Sequence, residues 1–488
     1  MAFPANMVWE VRNGGSSSNG GGYTPTGGGT DYSLQTAAQV SYTDLVIDGT
    51  DNTKCTSAGN PFTAAHVGNV INITSGTGFT VQRVYVVSVA VGVATCDRAL
   101  GTTGSTGGNG KLGGAMSAIE DVDSLVVPGN VVYICSDISG TAAGTKTSTR
   151  TLTCDGSAGV GYISFIGYLS GGSRTDGDIL EASMPIYTSA TNSVAILSLN
   201  GASRVRFRNL KLTHTAATRG LGVSVITATS TGVRFENCVF DGCLSGVVDT
   251  SGAINAATMV GCTVRNSTSH GMNLGNSTNW FLIGCLFDTN AGDGVRWGNS
   301  SATLTVFYCA SVNNTSSGHG FHASNATSDQ SVPMIFIGCV AYNNAGSGFR
   351  FASTTGNLRF VTFISNLSYG NGAYGVSCAT AGLMDSTANS VVCRNNAFGG
   401  NSSGARQNFV TGDGDVSLSG NPFSNAAGGD FSLDSTAGEG AACRQAGFPG
   451  YVGVYGGTTK SYPDIGAAQA VVSGGGSVAF PVSGRIVA

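Results

Sequence analysis

Residues 280–314 read WFLIGCLFDTNAGDGVRWGNSSATLTVFYCASVNN, and they hold two copies of one pattern. Trp280, Leu282 and Cys285 in the first copy are matched by Leu304, Val306 and Cys309 in the second, a step of 24 residues. Apolar residues two apart lie on the same face of a strand. A polar stretch with asparagine follows, and then a glycine with an apolar partner, Gly294-Val295 after the first copy and Gly320-Phe321 after the second. Short strands recurring every two dozen residues are the signature of a solenoid turn.

The pattern extends in both directions. Seven segments stack on one position, occupied by Leu210, Cys238, Cys262, Cys285, Cys309, Cys339 and Asn366, with steps of 28, 24, 23, 24, 30 and 27 residues. The residues three and five before it are apolar in every copy, from Val205 and Phe207 to Val361 and Phe363. The residue just before it is Asn209, Asn237, Gly261, Gly284, Tyr308, Gly338 or Ser365, mostly types that tolerate a bend between two strands. Eight to twelve residues later comes the second column, the glycine pairs from Gly222-Val223 to Gly375-Val376. Between the columns lie Asn266, Asn290, Asn313, Asn314, Asn343, Asn344 and Asn371. Asparagine accepts left-handed backbone, and its amide can bond to its copy one coil away, about 4.8 Å along the axis. Two columns in one register predict an all-β chain: a right-handed single-stranded parallel β-helix with a small N-terminal β-region and a C-terminal capping segment.

The composition agrees. Of 488 residues 75 are glycine and only 10% are charged, which favours turns and strands over helices with Lys- and Glu-rich faces. A net charge of -4 gives no basic footprint for nucleic acid. No run of about 18 apolar residues suggests insertion in a membrane. The opening MAFPANMVWEVRNGG lacks a basic segment before an apolar run, so a cytoplasmic origin is expected, with any extracellular destination reached by another route such as release of assembled particles by lysis. The 13 cysteines show no zinc-type CxxC pair, and five of them share the stacked column, so they read as an internal ladder of small apolar thiols. Inter-coil disulfides are not implied, because bridging needs a particular geometry. No cofactor is expected.

Along the chain, residues 1–115 lack the coil register and predict two or three strands of a small β-domain or entry cap. Residues 116–400 are assigned to the helix, 401–469 to terminal coils and a cap, and 470–488 to an extended tail or partner-binding strand. A cap is needed because the last coil would otherwise expose core and strand edge.

The opening WEVRNGGSSSNGGG (9–22), VINITSGTGF (70–79), GSTGGNGKLGGA (104–115), the in-register coils, and the closing NPF (421–423), GGDFSL (428–433) and PDIGA (463–467) resemble right-handed β-helix proteins encoded by tailed bacteriophages and some bacteria. The resemblance covers nearly the whole chain and implies fold more than task. Proteins of that kind include pectate-lyase-like enzymes, tailspikes, and non-enzymatic fibre or capsid-decorating proteins. It implies a virion location, other virion proteins or host polysaccharide as partners, and a homotrimer.

Three sets of residues are candidates for function. The first is the position two before the stacked column, expected to point outward. It changes from Arg208 and Glu236 to Val260, Ile283, Phe307, Ile337 and Ile364. Five large apolar groups in a row predict an interface between copies, or a cover supplied by the same chain. The second is the outward column after the glycine pairs, Ser224, Val248, Asn273, Arg296, His322, Arg350 and Ser377, with Asp293 and His319 beside it. Asp293, Arg296, His319, His322 and Arg350 suit a sugar, a carboxylate or a neighbouring virion protein, a plain solvated face being the alternative; metal binding by the two histidines is less favoured. The third is Asp241, Arg265 and Asp288, in one column. Two carboxylates about two coils apart could flank a glycosidic bond, but the same array is a structural ion ladder, and the arginine would keep both acids ionised. The sequence therefore favours a non-enzymatic structural or adhesive virion protein. A tailspike-type polysaccharide depolymerase using Asp241 and Asp288, and a bacterial surface or filament-forming protein, are the alternatives.

Overall fold

The computed structural model describes residues 3–142, 144–225, 229–249, 254–275, 278–298, 303–326, 333–353, 360–381, 391–444, 446–447 and 464–466. The chain divides into two compact units, residues 1–188 with 201–211, and residues 189–200 with 212–488.

In the first unit, six antiparallel strands between Val40 and Leu112 close a barrel. Its core is Tyr42, Leu45, Ile47, Ile71, Ile73, Val84, Val86 and Leu112, the inward halves of alternating strands. This is more than the two or three strands expected. The start of the chain also differs from the sequence reading. Val8–Val11 pairs in parallel with Val131–Cys135, which pairs with Ile163–Tyr168, which pairs with Val205–Arg208. Trp9, Val132, Phe165 and Phe207 thus form one buried column. The first rung of the helix comes from the opening residues, which lack the later columns because the chain leaves for the barrel.

The second unit is a parallel β-helix of three sheets. One coil runs Leu304–Phe307 on the first sheet, Ala310–Val312 on the second and Phe321–Ala326 on the third. Each strand pairs in register with its copy on the next coil: Phe307 with Ile337, Ala310 with Val340, Phe321 with Phe349. Coils continue past residue 400, to Gly404–Gln407 on the third sheet and Val416–Ser417 on the second.

Two corners repeat with left-handed backbone. Between the first and second sheets stand Asn237, Gly261, Gly284, Tyr308, Gly338, Ser365 and Asn395, all at φ between 46° and 65°. After the second sheet stand Gly242, Asn266, Thr289, Asn313, Asn343, Gly370 and Gly400, at φ between 52° and 70°. Glycine and asparagine dominate because a Cβ crowds the carbonyl in this conformation. In the second column glycine is needed for space instead: a Cβ on Gly320 would stand 2.5 Å from the Gly348 carbonyl oxygen of the next coil.

Cys238, Cys262, Cys285, Cys309 and Cys339 fill the first corner as buried thiols. Burial pushes the Cys339 thiol up to about 12. The asparagines separate into two sets. Asn290, Asn314, Asn344, Asn371 and Asn401 form a column in which each side-chain amide bonds to the next, at 3.0, 2.7, 2.9 and 2.8 Å. Asn290, Asn314, Asn344 and Asn371 are fully buried. Asn266, Asn313 and Asn343 occupy the left-handed corner, where Asn343 donates to Asn313 at 2.9 Å.

The outward face of the second sheet becomes apolar from Ala310 onward, and the chain covers it itself. Phe423, Phe431, Leu433, Cys443 and Ile465 pack on Ala310, Val312, Val340, Leu367 and Ala397. Phe423–Asn425 and Asp430–Leu433 form the antiparallel hairpin of this cover. Gly466 then donates its backbone N–H to the Ser365 carbonyl at 2.8 Å. The tail assigned to 470–488 lies outside the described residues.

Candidate functional site

The strongest grouping of chemistry-bearing side chains lies on the outward face of the third sheet. Pairing places Asn273, Arg296, His322, Arg350 and Ser377 in one column, one per coil. The residue preceding each glycine of the repeat forms a parallel column, His270, Asp293, His319 and Ser347. The two columns interlock across coils.

Asp293 is the hub. Its Oδ2 accepts from His322 Nδ1 at 2.8 Å, and its Oδ1 accepts the His319 backbone N–H at 2.8 Å. Burial alone would raise this carboxyl, but the His322 hydrogen bond and the neighbouring positive charge win and hold it below its usual range. It is a carboxylate, so His322 is the donor. Among the described residues His322 Nε2 is buried and has no partner. His319 accepts the Ser347 N–H at Nδ1, 2.8 Å away, and its ring meets that of His322 edge-on at 4.7 Å. Burial, then His322 and Arg350, push His319 down to about 4, so it is neutral near pH 7 with its proton on Nε2.

His270 completes the group. Its Nδ1 lies 3.0 Å from the Asp293 N–H and its Nε2 lies 3.0 Å from Arg296 Nη1. A neutral imidazole accepts at one nitrogen only, so it satisfies one of these donors at a time. Burial lowers it too. Sequence reasoning did not single out His270, although it stands one coil before Asp293 in the column preceding the glycines, and the register would have found it.

Ligand atoms of Asp293, His319 and His322 lie within 4.8 Å of one another, close enough to consider a metal. The donor roles do not suit one. His322 keeps Nε2 open as a ligand would, but His319 carries its proton on the nitrogen left free, and the cationic Arg296 and Arg350 stand on the neighbouring coils.

The second-sheet column Asp241, Arg265, Asp288 is in register as its spacing suggests. Arg265 grips Asp241 Oδ2 through Nε at 3.1 Å and Nη2 at 2.9 Å, while Asn266 occupies Oδ1 at 2.9 Å. Asp288 accepts from Asn313 at 3.0 Å. Asp241, with both oxygens bound, is placed as an ion-pair partner rather than a proton donor.

The first-sheet ladder Val260, Ile283, Phe307, Ile337, Ile364 is also one column. Its exposure is uneven. Ile337 and Ile364 are each 2% exposed, beside the returning Gly466, whereas Val260, Ile283 and Phe307 are half-buried. The expected contact surface therefore narrows to its first three members, joined by the exposed Phe281.

The family described as "Right handed beta helix region" matches residues 195–362. Among solved structures, pectate lyase Pel9A is similar at 19% identity and a TM-score of 0.50, over 73% of this chain and 91% of that one. The catalytic unit of an α-1,3-glucanase from Streptomyces thermodiastaticus is matched at 12% identity and a TM-score of 0.33, over 79% of this chain and 88% of that one. The tailspike protein gp49 of Pseudomonas phage LKA1 is matched at 11% identity and a TM-score of 0.24, over 77% and 63%. No curated protein matches the sequence. The likeness to the pectate lyase establishes the right-handed parallel β-helix fold and leaves the task to the site.

Proposed function

We propose that the protein is a structural and adhesive component of a phage virion that recognises a polysaccharide of the host surface without cleaving it. The observation that carries this reading is the polar strip of the third sheet, where Arg296, His322 and Arg350 lie on the outward face and His270, Asp293 and His319 stand in the turns just before the strands. Such a face offers successive hydrogen-bonding groups at the coil spacing, about 4.8 Å, along which an extended glycan can lie. Virion location is carried by the sequence resemblance stated above.

The absence of cleavage is argued from the carboxyls. Glycoside hydrolysis by the usual route needs one carboxyl held protonated opposite a second. Asp293 is held ionised, and Asp241 is saturated by Arg265 and Asn266. Self-association through Val260, Ile283 and Phe307, as a trimer, belongs to the same reading.

Binding to a panel of purified bacterial surface polysaccharides, with an assay for new reducing ends, tests it. Retention of at least one glycan without new ends is expected. New reducing ends that disappear in Asp288→Asn would establish the depolymerase instead.

A further inference from the structure

Several arginines on the coil faces of this protein are met by acids. Arg206 pairs with Asp176, Arg208 with Asp178, Arg265 with Asp241 and Arg406 with Asp415. Arg296 and Arg350 differ. Arg296 faces the neutral ring of His270, and Arg350 has no acidic partner among the described residues. Among the described residues the acid of this strip, Asp293, accepts from His322 and from the His319 backbone. Two guanidinium groups and one carboxylate leave the strip with a net positive charge, on a chain whose total is -4.

We infer that the ligand of this strip carries anionic groups, and that Arg296 and Arg350 each take one of them. Both arginines lie in the column of His322, one coil to either side, so they stand two coils apart, roughly 9.6 Å along the axis. Guanidinium matches carboxylate, sulfate and phosphate by paired donors, and His319 Nε2–H adds a neutral donor between them. Asp293 fixes the ring of His322, and among the described residues its side-chain partners are histidines and the His319 backbone rather than either arginine. This rests on the adhesive reading and names the chemical class that the strip selects: an acidic polysaccharide rather than a neutral one.

The test compares polygalacturonate, dextran sulfate and neutral dextran by titration calorimetry against the full chain. Polyanion binding is expected, with the first two arms separating carboxylate from sulfate, and dextran is expected to be ignored. Arg296→Gln and Arg350→Gln should each weaken the preferred polyanion about tenfold, as loss of one charge-assisted contact does. Lys54→Gln, a charge-matched change on the barrel, should leave binding unchanged. Equal binding of dextran, an equal loss in Lys54→Gln, or no loss in either arginine variant would overturn the inference. So would failure to bind either polyanion. The adhesive reading is judged separately, by the polysaccharide panel: a neutral glycan retained there, and not displaced by excess polygalacturonate, leaves adhesion standing while the anionic assignment falls.

Discussion

His322 stands one coil beyond Asp293 and donates to it across the coil step, Nδ1 to Oδ2 at 2.8 Å, so a single carboxylate ties two turns of the helix together at the centre of the polar strip. In Asp293→Asn one of the two donors would meet an NH₂ group instead of an oxygen. We expect this variant to lose about 1–3 kcal/mol of stability, the usual cost of leaving a hydrogen bond to a charged group unmade. Urea denaturation of the two proteins measures it, and an unchanged midpoint would show that the bond is not formed in solution.

The histidines predict acid sensitivity. His319 is pushed from 6.5 down to about 4 by burial and by His322 and Arg350, with Asp293 pulling the other way. A group with a lowered histidine pKa binds more protons when unfolded, so its contribution is fully present above about pH 6.5 and is lost as pH falls toward 4. Thermal unfolding should therefore occur at progressively lower temperature across that window, and the decline should be shallower in His319→Gln. Parallel curves for the two proteins would contradict the shift.

The two internal columns should respond differently to truncation. Asn344 accepts from Asn314 Nδ2 at 2.7 Å and donates to the Ser311 carbonyl at 2.9 Å. Asn344→Leu leaves these buried groups without partners, and a loss of roughly 2–5 kcal/mol is expected. Cys262→Ala removes only a small apolar atom, and about 1 kcal/mol is expected. The buried thiols should also be inert to Ellman's reagent in the native protein and all react once it is unfolded in denaturant.

Thr289 is the one β-branched residue in the second left-handed corner, at φ 54° and exposed. Thr289→Asn restores the residue type found at Asn266 and Asn313 and relieves backbone crowding. We expect a gain of about 1 kcal/mol, visible as a rise in Tm. A fall in Tm would mean that the threonine side chain makes a compensating contact.

Phe307 and Ile283 are the half-buried centre of the first-sheet ladder. A charge placed there should abolish association without unfolding the coil, because the side chains point away from the core column. Sedimentation of Phe307→Asp as a monomer, with the parent a trimer, is the expected outcome, and a monomeric parent would remove the assembly from the proposal.

The register of the coils was legible because it is written locally. The pairing of Val260 with Ile283, and of Arg296 with His322, follows from counting between like residues, since one coil is one repeat. His270 was legible by the same count, since it precedes Gly271 as Asp293 precedes Gly294 and His319 precedes Gly320. A small N-terminal β-region and a C-terminal cap were legible, but the six-stranded closure of the barrel, the Val8–Val11 rung and the second-sheet face on which Phe423, Phe431 and Ile465 pack were not. They depend on pairing and packing between segments far apart in the chain, which leave no period in the sequence. The burial of Ile337 and Ile364 had the same origin.

The return of Gly466 to Ser365 reaches back over the final rung at Val392–Arg394 and fastens one coil earlier. An end held this way is tied to an earlier turn rather than to the last one alone. The last turns and the segment that clasps them must let go together, so the terminus of this solenoid should melt as a cooperative block, and trimming the chain before residue 464 should turn that single event into gradual fraying.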